Sequence, residues 1–300
     1  MANVFHPGEI AVQKQAGTYS GAGRIGNGIR PVIPRTFREF MAEQAFAVAA
    51  SVDGVGHVWA SALVGEPGFI RALDDRTVHV TAQPVPGDPL ADNLKSTGKL
   101  GLLVIEFATR GRIRLNGNAE LRPDGIWMQT EEVFGNCQKY IQARESKQEQ
   151  GKPTPPATAQ LGEKLTTAQR RWIESADTFF VASANPAGGA DASHRGGQSG
   201  FVRVMESKKL VWPDYSGNGM FQTLGNLAIN SRAGLLFMDF ERGAVLQLTG
   251  HADIIWDEAR TTEFVGAERL IEFHVEQVIE TASALPLRFS FMDYSPYNPR

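Results

Sequence analysis

Short apolar runs separated by glycine-containing turns predict a chain built mainly of antiparallel strands. Residues 46–51 and 178–184 are rich in β-forming residues, and each run is followed by a turn that favours a hairpin. Polar and apolar residues alternate most clearly at residues 112–121, as in a strand with one buried face. Further strands are predicted at residues 58–64, 77–82, 101–107, 201–205, 209–213, 234–240 and 244–256.

Apolar residues at helical spacing predict a short helix inside each group of strands and longer helices outside them. The two inner helices are predicted at residues 88–96 and 220–230. Thr166 and Gln169 form a capping-box pattern at the start of one outer helix. The outer helices are predicted at residues 37–44, 127–145, 166–176 and 257–282.

The same order of elements occurs twice in the chain. Ser61 corresponds to Ser193, which lies 132 positions later, and Gly101 corresponds to Gly234, which lies 133 positions later. Repeats of this length are tandem domains, because solenoid and propeller repeats are shorter. About six short strands in each copy favour a small closed or split barrel. A chain with two copies can fold as its own dimer, with a ligand between the copies.

The repeat divides the chain into four segments. Residues 1–35 are interpreted as a flexible N-terminal arm, and residues 36–145 as the first barrel with a following helix. Residues 146–162 contain several prolines, so they are predicted to form an extended, exposed linker. Residues 163–300 are predicted to form the second barrel with a C-terminal helix and tail.

Composition excludes several classes of function. The 300 residues are 42% hydrophobic with a net charge of −3, which suits two globular domains and gives no basic surface for nucleic acid. No apolar stretch approaches the ~18 residues of a membrane span, so we expect a cytoplasmic protein without membrane contact. The single cysteine, Cys137, excludes a disulfide framework, and the six histidines lack paired ligand spacing, so no metal site is expected.

Several motifs of the second copy occur in an order that is specific when taken together. They are DASHRGG at residues 191–197, GFVRV at 200–204, WPDYSGN at 212–218, LGNL at 224–227 and GLLF at 234–237. This order resembles the pyridoxamine 5′-phosphate oxidase-related FMN-binding split-barrel family. FGNCQKYIQ at residues 134–142 is similar to a segment of a two-copy branch of that family.

The resemblance implies a mainly β fold of the α+β class. Two tandem split β-barrels, each with about six antiparallel strands and flanking helices, would form an intramolecular pseudo-dimer. An FMN would lie in a cleft between the barrels. The first copy has no arginine at the corresponding phosphate position, so we expect one flavin site, with phosphate contacts mostly from the second copy.

Candidate cofactor-binding residues follow from the chemistry of FMN. A phosphate requires backbone amides, a guanidinium or small polar groups, and a flavin ring requires apolar walls with polar groups at its edge. The phosphate candidates, in what we interpret as a glycine-rich turn, are Ser193, His194, Arg195 and Gly196, with Asn218 from a second turn. The wall candidates are Tyr215, Phe221 and Trp59, and the polar contacts are Gln142 and Thr223.

We expect an FMN-dependent oxidoreductase that reduces a small acceptor with electrons from NADH or NADPH. The flavin would carry the chemistry, and no catalytic side chain is assigned. A non-catalytic flavin-binding or electron-relay module, working with a reductase partner, is an alternative. The fold also admits deazaflavin or haem, and His194 or His251 would be the axial ligand of a haem. Two further alternatives stay open. The chain is a scaffold that has lost its ligand, or it pairs with a second chain.

Overall fold

The computed structural model describes residues 4–148 and 158–299, which form seven α-helices and seventeen β-strands. The helices are α1 (Pro7–Gln15), α2 (Tyr19–Gly26), α3 (Arg35–Glu43), α4 (Leu90–Thr97), α5 (Thr167–Ser175), α6 (Gln222–Ile229) and α7 (Glu258–Thr261). The strands are β1 (Phe46–Val52), β2 (Val58–Val64), β3 (Ile70–Ala72), β4 (Thr77–Val80), β5 (Lys99–Glu106), β6 (Gly111–Arg122), β7 (Gly125–Gly135), β8 (Ala143–Gln148), β9 (Thr158–Gly162), β10 (Thr178–Ala184), β11 (Ala190–Gly196), β12 (Arg203–Glu206), β13 (Lys209–Tyr215), β14 (Arg232–Met238), β15 (Val245–Ile255), β16 (Ala267–Ala282) and β17 (Leu287–Asp293).

Two antiparallel sheets with the same order of strands form most of the molecule, so the mainly β prediction is confirmed. The N-terminal sheet has the order β2-β1-β5-β6-β7-β4-β3. The C-terminal sheet has the order β11-β10-β14-β15-β16-β13-β12, and β9 also pairs with β16. Strands β8 and β17 form a separate pair. By this order β2 corresponds to β11, in agreement with the match of Ser61 to Ser193 in the sequence.

One buried hydrogen bond recurs in the two sheets and fixes each inner helix on its sheet. Asn93 Nδ2 on α4 donates to Ser51 Oγ on β1 at 2.9 Å. Asn226 Nδ2 on α6 donates to Ser183 Oγ on β10 at 3.0 Å. The asparagines are 133 positions apart and the serines 132, so the sequence offsets link residues in the same structural role.

The two sheets pack closely because glycine stands where their backbones cross. A Cβ on Gly101 would lie 2.5 Å from the carbonyl oxygen of Ala190, and a Cβ on Gly234 would lie 2.5 Å from that of Val58. The contact is reciprocal, because each glycine lies on one sheet and faces the other. A shared apolar core that includes Phe46, Leu103, Phe180 and Leu236 surrounds these crossings.

Two of the four predicted outer helices are confirmed. Helices α3 and α5 confirm the helices that begin the copies, and Thr166 caps α5 with the reciprocal Gln169 contact. The helices predicted at residues 127–145 and 257–282 are wrong, because β7 and β8 occupy most of the first segment and β16 occupies most of the second. Strands β7 and β16 have sheet neighbours on each side, and those pairings supply backbone hydrogen bonds that no local periodicity reveals.

The N-terminal arm is helical, contrary to the flexible segment expected. His6 and Glu9 form a capping box at the start of α1, and α1 packs against α6. The helices approach closely at Gly8 and Gly225, since a Cβ on Gly8 would lie 2.2 Å from the Gly225 carbonyl oxygen.

Residues 149–157 of the predicted linker, including its prolines, lie outside the described residues, and strands β8 and β9 flank them. None of the described helices has the length and hydropathy that a membrane span requires.

Replacing Gly101 with alanine tests the close crossing. The new methyl group would lie within 2.8 Å of three backbone atoms of residues 190 and 191, so one sheet must shift. We expect Gly101→Ala to lower the free energy of unfolding by about 1–3 kcal/mol, measured by urea denaturation. Gly21→Ala is the control, because nothing lies within 4 Å of that site on α2; it should be neutral or stabilising by about 0.5–1 kcal/mol. Equal effects of both changes would contradict a tight crossing.

Candidate functional site

A cleft lies at the junction of the two halves. The N-terminal half contributes residues of β6 and of the loop after β7: Arg112, Arg114, Asn136, Cys137, Lys139 and Tyr140. The C-terminal half contributes residues of β11, β13 and the start of α6: Ser193, His194, Arg195, Gly196, Phe201, Pro213, Asp214, Tyr215, Gly217, Asn218, Gly219, Phe221, Gln222, Thr223 and Leu224. Eight of the ten candidate residues line this cleft, and Trp59 and Gln142 do not.

The segment interpreted as a phosphate-binding turn is a strand. Residues 190–196 form β11 and pair along their length with β10. Because alternate side chains of a strand share a face, Ser193 and Arg195 lie together, and Arg195 donates to Ser193 Oγ at 2.5 Å. Gly196 is needed because a Cβ there would lie 2.0 Å from the carbonyl oxygen of Tyr140.

Three arginines from two strands gather around Ser193. Arg114 donates to Ser193 Oγ at 2.6 Å and forms an ion pair with Asp191 at 3.1 Å. Burial, followed by the charges of Arg114 and Arg195, lowers the pKa of Arg112 to about 9. Burial also lowers the pKa of Arg195. The Nε atoms of Arg112 and Arg114 are buried donors without a hydrogen-bond partner among the described residues. This cluster can therefore bind an anion.

The N-terminus of α6 opens into the same cleft. Its N-cap residue, Phe221, has a left-handed backbone with φ of 59° and provides no side-chain cap. Asn218 holds the preceding loop, because its Oδ1 accepts from the backbone nitrogen of Met220 at 3.0 Å. Uncapped amides and the positive end of the helix dipole favour a negative group here. Phe221 also packs beneath Arg269, whose Cζ lies 4.8 Å from the ring centroid.

Aromatic residues from both halves form one wall of the cleft. The rings of Tyr140 and Tyr215 lie 5.1 Å apart, and the Tyr140 hydroxyl donates to the carbonyl oxygen of Ser216 at 2.9 Å. Burial raises the pKa of Tyr215 to about 12, so its hydroxyl is neutral at physiological pH. Residues 136–142, which were predicted to lie within a helix at residues 127–145, are a loop that carries Tyr140 across to the C-terminal half.

His194 is a neutral, buried side chain in this site. Burial, followed by the charge of Arg112, lowers the pKa of His194 well below its ordinary value. Neither ring nitrogen has a hydrogen-bond partner in the described part of the chain, and the ring packs edge-on against Phe180. His251 lies outside the cleft lining, where Glu276 and Ser231 contact its two ring nitrogens at 2.8 and 3.3 Å.

Trp59 and Gln142 have structural environments outside the cleft lining. Gln142 is fully buried, and its Nε2 donates to the carbonyl oxygens of Tyr140 and Gly197, each at 3.1 Å. Its Oε1 accepts from the Ser295 backbone nitrogen at 2.8 Å, so Gln142 joins the Tyr140 loop to β11 and the C-terminal segment. Trp59 is buried at the sheet crossing, next to Gly234.

Sequence reasoning missed the arginines of β6. The alternation at residues 112–121 placed Arg112 and Arg114 on one face of a strand, but it gave no reason to bring that face to Ser193. Strands β6 and β11 belong to different sheets, and their contact comes from the packing of the two halves. Gln222, which accepts from Arg114 at 3.3 Å, was missed for the same reason.

The residues at the repeat positions of this cluster carry no positive charge. Ser61, Leu63 and Gln247 stand at the repeat positions of Ser193, Arg195 and Arg114. Ser61 Oγ donates to Asp88 at 2.7 Å, and Gln247 Nε2 donates to Asp88 at 2.9 Å. A buried carboxylate therefore lies where the first cluster has cations.

The described residues also contain no group of three His, Cys, Asp or Glu side chains able to hold a metal ion.

The raised pKa of Asp88 predicts how the stability of the fold depends on pH. Its burial raises the pKa to about 6, despite the hydrogen bonds it accepts. A carboxyl group with a raised pKa in the folded state contributes stability at pH below about 4, and this contribution is lost as pH rises through about 6. Between pH 4 and pH 7, Asp88→Asn should therefore gain on the order of 3 kcal/mol of unfolding free energy relative to the unmodified protein. Urea denaturation at several pH values measures this difference. The exposed Asp92→Asn is the control, and a difference independent of pH would contradict the assignment.

Comparisons with known proteins found similar solved structures and one family model. The HupZ protein of Group A Streptococcus shares 17% identity, covering 38% of this chain and 92% of its own, with a TM-score of 0.32. An FMN-binding protein of Syntrophomonas wolfei shares 6% identity, covering 38% and 84%, with a TM-score of 0.29. The FAD binding protein of Mycobacterium smegmatis shares 13%, covering 40% and 98%, with a TM-score of 0.29. No curated protein matched the chain. Residues 165–289 match the family model described as pyridoxamine 5′-phosphate oxidase. This segment of the C-terminal half is therefore similar to pyridoxamine 5′-phosphate oxidase proteins.

Proposed function

We propose that the chain binds one FMN in the cleft and acts as an FMN-dependent oxidoreductase, which reduces a small acceptor with electrons from NADH or NADPH. The observation that carries the proposal is the meeting of a cationic cluster, an uncapped helix N-terminus and an aromatic wall in one cleft. A phosphate ester on a flat ring system has the chemistry that such a combination fits.

The phosphate would lie among Arg112, Arg114, Arg195 and the first amides of α6. Two of these guanidinium groups have buried Nε atoms without a partner among the described residues, and burial lowers the pKa of Arg112 and Arg195. A bound dianion would restore both hydrogen bonding and charge balance. Ser193 would keep the guanidinium groups of Arg114 and Arg195 in position, because it already accepts from both.

The flavin ring would lie against Tyr140, Tyr215 and Phe221. Thr223 and Gln222 line the same cleft and offer polar atoms to the edge of the ring. The Tyr140 loop spans from the N-terminal half to Ser216 of the C-terminal half, so both halves would enclose the cofactor. Enclosure by aromatic side chains excludes water from the face of the ring.

We further infer that the two large sheets are two copies of one split barrel, packed as an intramolecular pseudo-dimer. The shared strand order, the recurring asparagine–serine hydrogen bond and the reciprocal crossings at Gly101 and Gly234 support this inference. Such a pair offers two related positions between its copies. The buried Asp88 in one of them would repel a phosphate, which supports a single flavin site per chain.

Bound FMN would supply hydride transfer between a nicotinamide and the acceptor. The chain would bind the phosphate, orient the ring and limit access of water. His194 is neutral and Tyr215 is protonated at physiological pH, so neither adds charge beside the ring. The described lining residues include one carboxyl group, Asp214, whose pKa is raised by burial and whose Oδ2 lies 3.4 Å from Nε of Arg269.

Comparing FMN with riboflavin tests the phosphate position. We expect Arg195→Ala to weaken FMN binding by about 1–3 kcal/mol, because a charge-assisted hydrogen bond is lost, and to leave riboflavin binding nearly unchanged. Fluorescence titration of the flavin measures both affinities. Ser61→Ala is the matched control at the repeat position of Ser193, and it should leave the affinity for FMN unchanged. Equal losses for FMN and riboflavin would remove Arg195 from the phosphate site.

The absorption spectrum and the released ligand test the cofactor itself. We expect a flavin spectrum, release of one FMN per chain on heating, and bleaching by NADH or NADPH followed by reoxidation with a small quinone or nitroaromatic acceptor. Mass spectrometry identifies the ligand. A flavin that no nicotinamide reduces would favour the non-catalytic or relay alternative. A Soret band, or release of a deazaflavin, would overturn the FMN assignment.

A further inference from the structure

The N-terminal arm contacts both halves of the molecule beside the cleft. Helix α1 packs against α6 of the C-terminal half. Farther along the arm, the backbone of Arg30 exchanges two hydrogen bonds with Val133 of β7, in the N-terminal half. The arm is therefore anchored on each side of the junction at which the cleft lies.

Gln13 joins the arm to the loop that leads into α6. Its side chain is fully buried, and its Nε2 donates to the carbonyl oxygen of Met220 at 3.0 Å. Its Oε1 is buried without a hydrogen-bond partner, so the bond to Met220 is the one polar contact of this side chain among the described residues. A buried donor that loses its acceptor carries the full cost of desolvation. Gln13 therefore favours the observed backbone position of Met220.

The loop that Gln13 contacts also lines the cleft. The backbone nitrogen of Met220 donates to Asn218 Oδ1 at 3.0 Å, and Phe221 follows as the left-handed N-cap of α6. Gly219 has φ of 73°, and a Cβ there would lie 3.7 Å from Thr18 of the arm. Asn218, Gly219 and Phe221 are all lining residues of the cleft. The arm therefore contacts the same short loop from which the proposed phosphate site is built.

Two further contacts hold α1 on the first turns of α6. His6 Nδ1 accepts from the backbone nitrogen of Gly8 at 3.1 Å, so its proton is on Nε2, which donates to Asn226 Oδ1 at 3.0 Å. A Cβ on Gly225 would lie 2.4 Å from Cγ of Glu9, so the two helices are in close contact there. A side chain larger than hydrogen at Gly225 would separate them.

The arm also reaches the cationic cluster through an aromatic ring. Phe5 and Ala22 of the arm form a buried apolar cluster with Met220 and with Phe134 of β7. The ring centroid of Phe134 lies 5.7 Å from Cζ of Arg114, within the range of a cation–π contact. One apolar cluster therefore touches both the loop before α6 and a guanidinium group of the cleft.

We propose that Gln13 is a positioning residue of the cleft, and that docking of α1 on α6 and binding of the FMN phosphate at the start of α6 stabilise each other. The inference rests on the proposed function for the identity of the ligand. Gln13 is not among the lining residues of the cleft, so it acts through Met220 and the first amides of α6. Coupling between two sites is reciprocal, so FMN strengthens docking of the arm by the factor by which the docked arm strengthens FMN binding.

Replacing Gln13 with methionine tests the coupling from the side of the arm. Gln13→Met keeps the length of the side chain and removes the donor to Met220. We expect FMN to bind about threefold to tenfold more weakly, as for the loss of one hydrogen bond, and riboflavin, which lacks the phosphate, to change by less than about twofold. Fluorescence titration measures both affinities.

Gln44→Met is the matched control for this change. Gln44 is also buried, its Nε2 donates to the carbonyl oxygen of Phe40 at 2.9 Å, and it lies outside the cleft lining. We expect its affinity for both flavins to equal that of the unmodified protein. Equal losses for FMN and riboflavin in Gln13→Met, or equal losses of FMN in the two variants, would contradict a positioning role.

Hydrogen exchange tests the coupling from the side of the ligand. With saturating FMN, the amides of residues 10–15 should exchange about threefold to tenfold more slowly than in the free chain, and riboflavin should have a smaller effect. If FMN binds and these rates do not change, the inference fails and the proposed function stands. If no flavin binds, the proposed function fails and the free chains decide. The amides of residues 219–225 should then exchange faster in Gln13→Met than in Gln44→Met, and equal rates would overturn the positioning role.

Discussion

The buried contact of Arg114 with Asp191 and Ser193 is the interaction on which the rest of the site depends. Arg114 lies on β6 of the N-terminal sheet, and its partners lie on β11 of the C-terminal sheet. Removing one partner of such a pair leaves an uncompensated buried charge, which typically costs about 3–5 kcal/mol. The two halves are therefore held in one relative position, and that position brings the arginines, the start of α6 and the Tyr140 loop around a common space.

Charge separates the two otherwise similar positions between the sheets. At one of them, Arg114 and Arg195 converge on Ser193; at the other, Gln247 and Ser61 converge on the buried Asp88. The backbone framework is shared, and a few side-chain changes give opposite electrostatic fields. A third environment lies beside them, where Asp191 pairs with Arg114 and also lines a pocket with the carboxyl groups of Glu9, Glu131 and Glu132. Local polarity therefore changes sign over one or two side chains.

Part of the strand order could be predicted, because a hairpin such as β1 with β2 is local in sequence. Strand β11, in contrast, was interpreted as a phosphate-binding turn, although it pairs with β10. Strands β7 and β16 were mistaken for helices, since their identity depends on partners on both sides rather than on their own periodicity. Ser193 and Arg195 could be named from a short motif. The position of Arg112 and Arg114 beside them could not, because it arises only when one sheet packs on the other.

A cleft assembled from two halves of one chain has a consequence for concentration. In a dimer of separate subunits, a ligand site at the interface exists only while the subunits are associated, so ligand affinity depends on protein concentration. Here the residues from β6 and the Tyr140 loop are joined by the chain itself to those of β11 and α6. The covalent connection replaces a bimolecular encounter with an intramolecular one of high effective concentration. The cleft can therefore persist on dilution, even where two unlinked halves would separate.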